Sequence, residues 1–175
     1  SIMEIFLVRH TETVCEKGIC YGQADMDIKE PYIEFFQEIK TQLPTDAILY
    51  SSPLLRCKKM AEFISKDITF DKRLMEMNFG NWELQPWNDI PVEEIKPWMD
   101  NFVTIRVPNG ESFEDLHERV GEFYSELLQK KEAKVIIICH AGSIRSILSR
   151  YHKTNLVDAF SFYSINYGEV IKIIL

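Results

Sequence analysis

The chain has 175 residues, of which 46% are hydrophobic and 27% are charged, enough for one well-buried domain and too few for two domains of ordinary size. A formal net charge of −7 without a Lys/Arg-rich run argues against nucleic acid as a partner and favours a small anionic molecule. The four cysteines form no CxxC pair and no leader or membrane-spanning apolar run is visible, so we expect reduced thiols, no membrane partner and a cytoplasmic location.

The first predicted element is a strand over residues 5–8, an uninterrupted apolar run that is typical of a strand buried on both faces. This run ends at Arg9 and His10. Open α/β sheets bind ligands outside the carboxyl ends of their parallel strands, so this ending places a cation and a nucleophile where a ligand would bind. A single histidine at a strand end is more often structural, and the functional interpretation therefore depends on the later elements.

Three further elements are predicted before residue 77. Residues 30–43 carry apolar side chains at helical spacing and predict a helix. A short strand over residues 47–50 ends in two serines suited to N-capping, and Pro53 suits the first helical turn, so Arg56 is expected near the same rim of the sheet. A strand-like segment over residues 68–74 then leads to Glu76.

Residues 84–108 interrupt this alternation of strands and helices. The segment contains four prolines together with Trp87, Trp98 and Phe102. Long irregular segments in compact domains are often functional lids or are packed by their own side chains. We therefore expect either a lid-like insertion that supplies an aromatic wall to the pocket, with Trp87 against the substrate, or a surface excursion that its aromatic residues anchor.

The last part of the chain repeats the pattern of a strand that ends at a histidine. A Ser112-x-x-Asp115 capping pattern opens a long amphipathic helix that ends at residue 130. The apolar run 134–138 leads to His140 and into a helix over residues 143–150, and residues 160–165 and 169–174 predict a hairpin. This alternation predicts an α/β fold, a three-layer α/β/α sandwich with a mostly parallel sheet, formed by one domain over residues 1–175.

Five short motifs resemble, in the same order, those of the histidine phosphatase superfamily, which includes the cofactor-dependent phosphoglycerate mutases. Each motif alone is weak, but the five together are specific and cover nearly the whole chain. They are Arg9-His10-x-Glu12-Thr13, Ser51-Ser52-Pro53-Leu54-x-Arg56, Leu74-x-Glu76-x-x-Phe79-Gly80-x-Trp82-Glu83, Gly110-Glu111-Ser112 and His140-Ala141-Gly142.

The resemblance implies a phosphomonoesterase that works through a phosphohistidine. His10 would attack the phosphorus, while Arg9 and Arg56 would hold the phosphate, a task that suits the planar and permanently charged guanidinium group. His140 is expected beside the phosphoryl group as a protonated donor. Glu76 matches the acid position of the family and would protonate the leaving oxygen; the alternative is that Glu76 is one of many solvated carboxylates in an acidic chain.

The remaining substrate contacts are expected from loops. Backbone N–H groups of Ala141 and Gly142 at a helix start would add anion binding, and Thr13 belongs to the first motif. Within the superfamily the chain most resembles the alpha-ribazole 5′-phosphate phosphatases of cobalamin nucleotide-loop assembly, through a Tyr-Gly-Gln signature that contains Tyr21 and Gln23. These two side chains either line the pocket or only satisfy local hydrogen bonds. The benzimidazole-type base of that substrate would suit an aromatic lid.

Three residues depart from the pattern of the family, and the mildest departure is Ala141 in place of a frequent glycine. Thr11 stands where glycine usually follows the Arg-His pair, and Glu16 stands where many members have asparagine. A carboxylate at that position would repel phosphate, so no phosphate contact is assigned to Glu16. The chain is also short beside the phosphoglycerate mutases, which makes hydrolysis a simpler prediction than phosphate transfer within a substrate.

Three functions remain open at this point. The first is an alpha-ribazole 5′-phosphate phosphatase. The second keeps the chemistry and changes the substrate, to a broad-specificity phosphatase for sugar phosphates or nucleotides or to a mutase-like enzyme. The third is a non-catalytic phosphate-binding module on the same fold. No metal and no cofactor is expected, since arginines and histidines supply the charge that a metal would otherwise provide, and no oligomeric state is predicted.

Overall fold

A five-stranded sheet forms the centre of the structure, a computed structural model that describes residues 2–175. The strands are β1 (Glu4–Arg9), β2 (Ile48–Ser51), β3 (Thr69–Phe70), β4 (Lys134–Cys139) and β5 (Val170–Ile174). Their order across the sheet is β3-β2-β4-β1-β5, with β1 to β4 parallel and β5 antiparallel to β1. The predicted α/β fold with a mostly parallel sheet is confirmed.

Helices cover both faces of this sheet. The helices are α1 (Ile33–Thr41), α2 (Leu55–Ile64), α3 (Val92–Asp100), α4 (Phe113–Lys130), α5 (Ala141–His152) and α6 (Ala159–Phe162). One core cluster joins the sheet to α1 and α2, and a second joins it to α4, α5 and α6. None of the helices within residues 2–175 combines the length and the hydrophobicity that crossing a membrane requires.

The side chains of β1 alternate between these two cores. Ile5 and Leu7 belong to the cluster on the α4 and α5 side, whereas Phe6 and Val8 belong to the cluster on the α1 and α2 side. All four are buried. Because successive side chains of a strand point to opposite faces, a strand covered on both faces must be apolar throughout, which is the pattern the sequence shows.

Several predicted boundaries shift. Helix α1 begins at Ile33 and not at residue 30, and only two residues of the segment 68–74 join the sheet as β3. Helix α2 begins at Leu55, two residues later than predicted. The reason at α2 is local: the Oγ atom of Ser52 accepts a hydrogen bond from the backbone N–H of Leu54 at 3.3 Å, which holds an extended residue there instead of capping a helix that starts at Pro53.

The predicted hairpin at the end of the chain is wrong in its first half. Residues Ala159–Phe162 form the short helix α6, and only β5 joins the sheet. The ring of Phe160 packs against the rings of Phe102 and Phe113, with centroids 5.1 and 5.3 Å apart, and Ala159 is fully buried. The alternation of aromatic and polar residues in 160–165 resembles a strand, but packing against the neighbouring rings decides the local structure.

The segment 84–108 is more regular than predicted. It contains a 3-10 turn at Trp87–Asp89 and the helix α3, with Pro97 inside that helix. The indole rings of Trp87 and Trp98 stack at a centroid distance of 5.9 Å and an interplanar angle of 21°. The expectation of an irregular segment is therefore corrected, because these rings give the helix a surface to pack on.

Candidate active site

The carboxyl ends of the central strands bring the predicted residues together. Arg9 ends β1 and pairs in register with Cys139 at the end of β4, so His10 and His140 follow neighbouring strand ends. Their ring centroids are 5.2 Å apart. His10 lies in the wall of a cavity of about 360 Å³, which also contains Glu76.

Aromatic side chains form much of the rest of this cavity. The phenyl and indole rings in its wall belong to Phe79, Trp87, Trp98, Phe102, Phe113 and Phe160. A larger cavity of about 470 Å³ lies on the other side of Tyr167, around α1, and its wall includes three glutamates and one lysine. His10, the two arginines and Glu76 meet in the smaller cavity, which is therefore the candidate active site.

His10 is buried and neutral. Its Nδ1 atom lies 2.8 Å from the carbonyl oxygen of Thr11, which can only accept, so Nδ1 carries the proton and Nε2 keeps a free lone pair. Burial, followed by the positive charges of Arg56 and Arg9, lowers the pKa of His10 to about 3 despite the hydrogen bond to Thr11. At neutral pH the imidazole can therefore act as a nucleophile without first losing a proton.

His140 is also shifted towards its neutral form, whereas a protonated donor was expected. Burial first, and then the charge of Arg56, hold its pKa well below the usual histidine range. Its Nε2 atom lies 2.8 Å from the hydroxyl of Ser52, whose Oγ atom also accepts from the backbone N–H of Leu54. In the tautomer whose Nε2 accepts from Ser52, the proton of a neutral His140 sits on Nδ1, which is buried and has no hydrogen-bond partner within residues 2–175. A neutral His140 is still a donor.

Arg56 is oriented by a loop and has no ion-pair partner in the described chain. It is 1% exposed, and its two terminal nitrogens donate to the carbonyl oxygens of Ala24, at 2.8 Å, and of Gly22. The guanidinium carbon lies 5.2 Å from the ring centroid of Tyr21. Backbone carbonyls fix the side chain without cancelling its charge, so the cavity stays positive at this point.

Arg9 is also held by a backbone carbonyl oxygen and an aromatic ring. One terminal nitrogen donates to the carbonyl oxygen of Ile165 at 2.6 Å, and the guanidinium carbon lies 4.1 Å above the ring of Tyr167. The Nε atoms of Arg9 and Arg56 are both buried, and neither has a hydrogen-bond partner in the described part of the chain. Unpaired buried donors are rare, and two of them beside a nucleophile suit an anion.

Glu76 faces the cavity and is fixed by backbone groups. Its Oε1 atom accepts from the N–H of Met77 at 2.9 Å and its Oε2 atom from the N–H of Gly142 at 3.1 Å. Its own carbonyl oxygen accepts from Nε2 of Gln23 at 3.1 Å and from Nη2 of Arg119 at 2.8 Å. The carboxylate therefore lies at the start of α5, within the same cavity as His10.

The other residues predicted to contact the substrate lie partly in the cavity wall and partly behind it. Tyr21, Trp87, Ala141 and Gly142 line the cavity as expected. Gln23 is not in the cavity wall and instead supports the backbone at Glu76. The N–H of Gly142 is bonded to the carboxylate of Glu76, so it is not the free anion donor that was expected.

Thr13 and Glu16 lie away from the cavity wall. The hydroxyl of Thr13 donates to the hydroxyl of Tyr21 at 3.1 Å, so Thr13 positions a cavity residue from behind. Burial raises the pKa of that tyrosine to about 12, which keeps its hydroxyl neutral. Glu16 is exposed and lines a separate surface pocket, so its negative charge does not oppose phosphate beside His10.

Sequence reasoning missed Arg145, and it left open whether Glu83 of the third motif holds an arginine in place or faces water. Arg145 lines the cavity from α5, four residues after Ala141 and so one helical turn along the same face, a spacing that could have predicted it. Glu83 accepts hydrogen bonds from four backbone N–H groups, three of them in the loop that orients Arg56. Within residues 2–175 there is no cluster of three or more His, Cys, Asp or Glu side chains that could hold a metal ion.

The chain is similar in sequence or in fold to several known proteins. A Hydrogenobacter thermophilus protein, provisionally named phosphoserine phosphatase 2, is 27% identical over 179 residues, which cover 94% of this chain and 86% of the relative. The structure of the alpha-ribazole phosphatase from Shigella flexneri matches with a TM-score of 0.88 at 23% identity, over 97% of this chain and 89% of that one. A mycobacterial glucosyl-3-phosphoglycerate phosphatase matches with a TM-score of 0.86 at 17% identity, over 99% and 91%. At these identities the two structures show the fold alone.

The family itself is shown by a model that spans nearly the whole chain. The model of the histidine phosphatase superfamily (branch 1) matches residues 5–174. This range includes all five motifs on which the resemblance was based. The chain therefore belongs to the histidine phosphatase superfamily, branch 1, and is an enzyme of the phosphatase type.

Proposed function

We propose that this enzyme hydrolyses small-molecule phosphate esters through a phosphohistidine formed at His10. One observation carries the proposal: a neutral, buried imidazole with a free Nε2 atom shares a cavity with two guanidinium groups whose Nε donors are unpaired within the described residues. Arg9 and Arg56 would neutralise the non-bridging oxygens of the phosphate, and His140 would donate to a further oxygen through Nδ1. At ~4 Å and an effective dielectric constant of ~20, each charge pair is worth roughly 4 kcal/mol.

The reaction then proceeds in two displacements. In the first, Nε2 of His10 forms a bond to phosphorus, the bond from phosphorus to the ester oxygen breaks, and a protonated Glu76 gives its proton to the leaving alcohol. In the second, Glu76 takes a proton from water, the water oxygen attacks phosphorus, and the bond between nitrogen and phosphorus breaks. Inorganic phosphate leaves, and His10 and Glu76 return to their starting states.

Alpha-ribazole 5′-phosphate is the leading candidate substrate. The six phenyl and indole rings of the cavity would pack on its benzimidazole-type base, and about 360 Å³ lies within the range of small-molecule sites. This assignment carries with it a role in cobalamin nucleotide-loop assembly. A cytoplasmic location also belongs to the proposal and is supported by four free cysteines. A broad-specificity phosphatase and a mutase-like enzyme would use the same residues on other esters.

Phosphate release measured across a panel of esters tests the proposal. The panel contains alpha-ribazole 5′-phosphate, sugar phosphates and nucleotides, each assayed with EDTA, and His10→Ala is the control. We expect release that EDTA leaves unchanged and that His10→Ala abolishes, with the highest kcat/KM for alpha-ribazole 5′-phosphate. Similar rates across the panel would refute alpha-ribazole 5′-phosphate as the preferred substrate but would remain consistent with the phosphohistidine mechanism. Release from no ester would refute the phosphatase proposal and favour a phosphate-binding module.

The aromatic wall has its own test. Trp87→Ala and Trp98→Ala should each raise KM for alpha-ribazole 5′-phosphate about tenfold, the effect of roughly 1.4 kcal/mol of lost ring packing, and leave a small aliphatic ester unaffected. Phe162→Ala is a matched control, since that ring is 64% exposed and lies outside the cavity wall. Unchanged KM in both tryptophan variants would show that these rings only anchor the segment 84–108.

A further inference from the structure

A buried polar cluster surrounds one ring nitrogen of His140. Ser52, Cys57 and His140 are each fully buried. The Nε2 atom of His140 lies 2.8 Å from the Oγ atom of Ser52 and 3.6 Å from the Sγ atom of Cys57. The phosphatase chemistry derived so far gives a role to His140 alone, so the two side chains that contact its ring have no assigned task.

The position of one proton decides what His140 can do for a phosphate. A neutral imidazole donates from only one of its two nitrogens. With the proton on Nδ1, His140 adds a third unpaired buried donor to the Nε groups of Arg9 and Arg56. With the proton on Nε2, the same Nδ1 atom carries a lone pair, which repels an oxyanion. Since Nδ1 has no hydrogen-bond partner in the described chain, only the groups around Nε2 can select the tautomer.

The hydrogen atoms around Ser52 can be counted. Its Oγ atom accepts from the backbone N–H of Leu54 at 3.3 Å, and its other hydrogen-bond contact among residues 2–175 is Nε2 of His140. If Nε2 carried a proton, Oγ would accept twice and the hydroxyl hydrogen would be left with only a sulfur atom, a weak acceptor, nearby. If Nε2 is unprotonated, the hydroxyl donates to it and every group is satisfied. The count therefore favours a neutral His140 with its proton on Nδ1.

Cys57 does not compete with Ser52 for this role. Burial raises the pKa of its thiol to about 12, so the sulfur keeps its hydrogen at neutral pH. The thiol donates to the carbonyl oxygen of Cys139 at 3.4 Å. Ser52 is in turn fixed to the sheet, because its backbone N–H donates to the carbonyl oxygen of Ile138 at 2.9 Å. The hydroxyl of Ser52 is thus the strong and well-placed partner of Nε2.

We infer that Ser52 is a positioning residue of the reaction: its hydroxyl donates to Nε2 of His140, holds the proton of that imidazole on Nδ1, and so keeps His140 a donor to the phosphate without a positive charge. Ser52 acts through His140 and touches no substrate. The expected effect on turnover rests on the proposed phosphatase chemistry, whereas the position of the proton is a property of the free protein. Selection of a tautomer can matter greatly, since the wrong histidine tautomer in a Ser-His-Asp triad lowers kcat about 10⁴-fold.

Nuclear magnetic resonance of the ¹⁵N-labelled free protein at pH 7 tests the tautomer. Two-bond correlations between ring protons and ring nitrogens show which nitrogen is protonated, and the signals missing from His140→Asn identify those of His140. We expect a protonated Nδ1 and an unprotonated Nε2 in the unaltered protein, and a mixture of tautomers in Ser52→Ala. A proton on Nε2 in the unaltered protein would overturn the inference, and so would an unchanged pattern in Ser52→Ala.

Turnover tests what the tautomer does. Loss of one donor to a developing oxyanion costs ~10²–10³ in kcat, and a mixture of tautomers loses part of that, so Ser52→Ala should lower kcat roughly 10- to 100-fold on every ester that is hydrolysed. Ser52→Thr, which keeps the hydroxyl, should restore most of this loss.

Ser51→Ala is the matched control. It removes a neighbouring buried hydroxyl that donates to the carbonyl oxygen of Ser52 at 2.9 Å. Its kcat should stay within about threefold of the unaltered enzyme, because it leaves the donor to Nε2 in place. Equal losses of kcat in Ser51→Ala and Ser52→Ala would indicate a merely structural role and overturn the inference. If no ester is hydrolysed, the phosphatase proposal fails, and the resonance pattern alone decides whether Ser52 selects the tautomer.

Discussion

The neutral state of His10 predicts a measurable dependence of stability on pH. In the folded protein its pKa is about 3, and in the unfolded chain it returns to about 6.5. Below pH 6.5 the unfolded chain therefore binds a proton that the folded protein does not. The contribution of His10 to the free energy of unfolding is fully present above pH 6.5. It is lost as the pH falls towards 3, by about 1.4 kcal/mol per pH unit. Between pH 7 and pH 5 the contribution of His10 should be about 2 kcal/mol.

Urea unfolding of the unaltered protein and of His10→Asn, at pH 7 and at pH 5 in buffers without phosphate, isolates this contribution. The amide side chain of the variant can still donate to the carbonyl oxygen of Thr11 but does not titrate. The loss of unfolding free energy between the two pH values should be about 2 kcal/mol smaller in the variant, because the carboxylates and the other histidines cancel in the comparison. Equal losses in both proteins would show that His10 takes up a proton in the folded state near pH 6 and would refute the neutral nucleophile.

Three substitutions outside the cavity wall test how the fold supports the site. Ser112→Ala removes the capping box that Ser112 forms with Asp115 and should lower the unfolding free energy by about 1 kcal/mol in urea. Gly80 has a φ of +45°, and Gly80→Ala would place a Cβ atom 2.2 Å from the carbonyl oxygen of Pro108. The substitution should therefore lower the free energy of unfolding by at least about 2 kcal/mol and Tm by about 4–8 °C. Each carboxylate oxygen of Glu83 accepts hydrogen bonds from two backbone N–H groups. Glu83→Gln replaces one of these oxygens and should lower the free energy of unfolding by about 2–4 kcal/mol. Its kcat/KM should fall with its Tm, and an unchanged kcat/KM would show that the loop behind Arg56 does not need this anchor.

The sequence predicts the centre of the site well because two rules with few exceptions apply there. Uninterrupted apolar runs indicate strands that are covered on both faces, and the carboxyl ends of parallel strands lie at the same edge of the sheet. Residues that directly follow such runs, as His10 and His140 do, must therefore lie close together, and the structure places their rings 5.2 Å apart. Arg56 follows a shorter strand, and a two-residue error in the start of α2 still left it at the same edge.

Prediction fails where long-range packing decides the local structure. The alternation in residues 160–165 indicates a strand, yet Phe160 packs on Phe102 and Phe113 as part of α6. The prolines of 84–108 indicate an irregular segment, yet α3 forms because its tryptophan ring packs on neighbouring aromatic rings. The protonated state expected for His140 has a related weakness. Its pKa is lowered by its burial and by the charge of Arg56, and neither can be read from the order of residues.

The Gly110-Glu111-Ser112 motif acquires a physical reason through Glu76. The carboxylate of Glu111 pairs with the guanidinium of Arg119 at 2.8 Å and accepts from the backbone N–H of Asn78 at 2.9 Å. Arg119 in turn donates to the carbonyl oxygens of Met75, at 2.7 Å, and of Glu76, at 2.8 Å. Since these contacts hold the backbone on both sides of the Glu76 side chain, the motif fixes the position of the proposed acid from outside the cavity.

Two kinds of arginine therefore serve opposite electrostatic purposes. Arg119 is paired with Glu111, so its charge is largely cancelled and it acts as a strut for the backbone at Glu76. Arg9 and Arg56 are tied to carbonyl oxygens, which orient a guanidinium group and leave its charge available. His10 stays neutral in this cavity because its burial, and after it the available charges of Arg56 and Arg9, lower its pKa. A site built in this way has its positive charge and the proposed nucleophile in position before any phosphate ester enters.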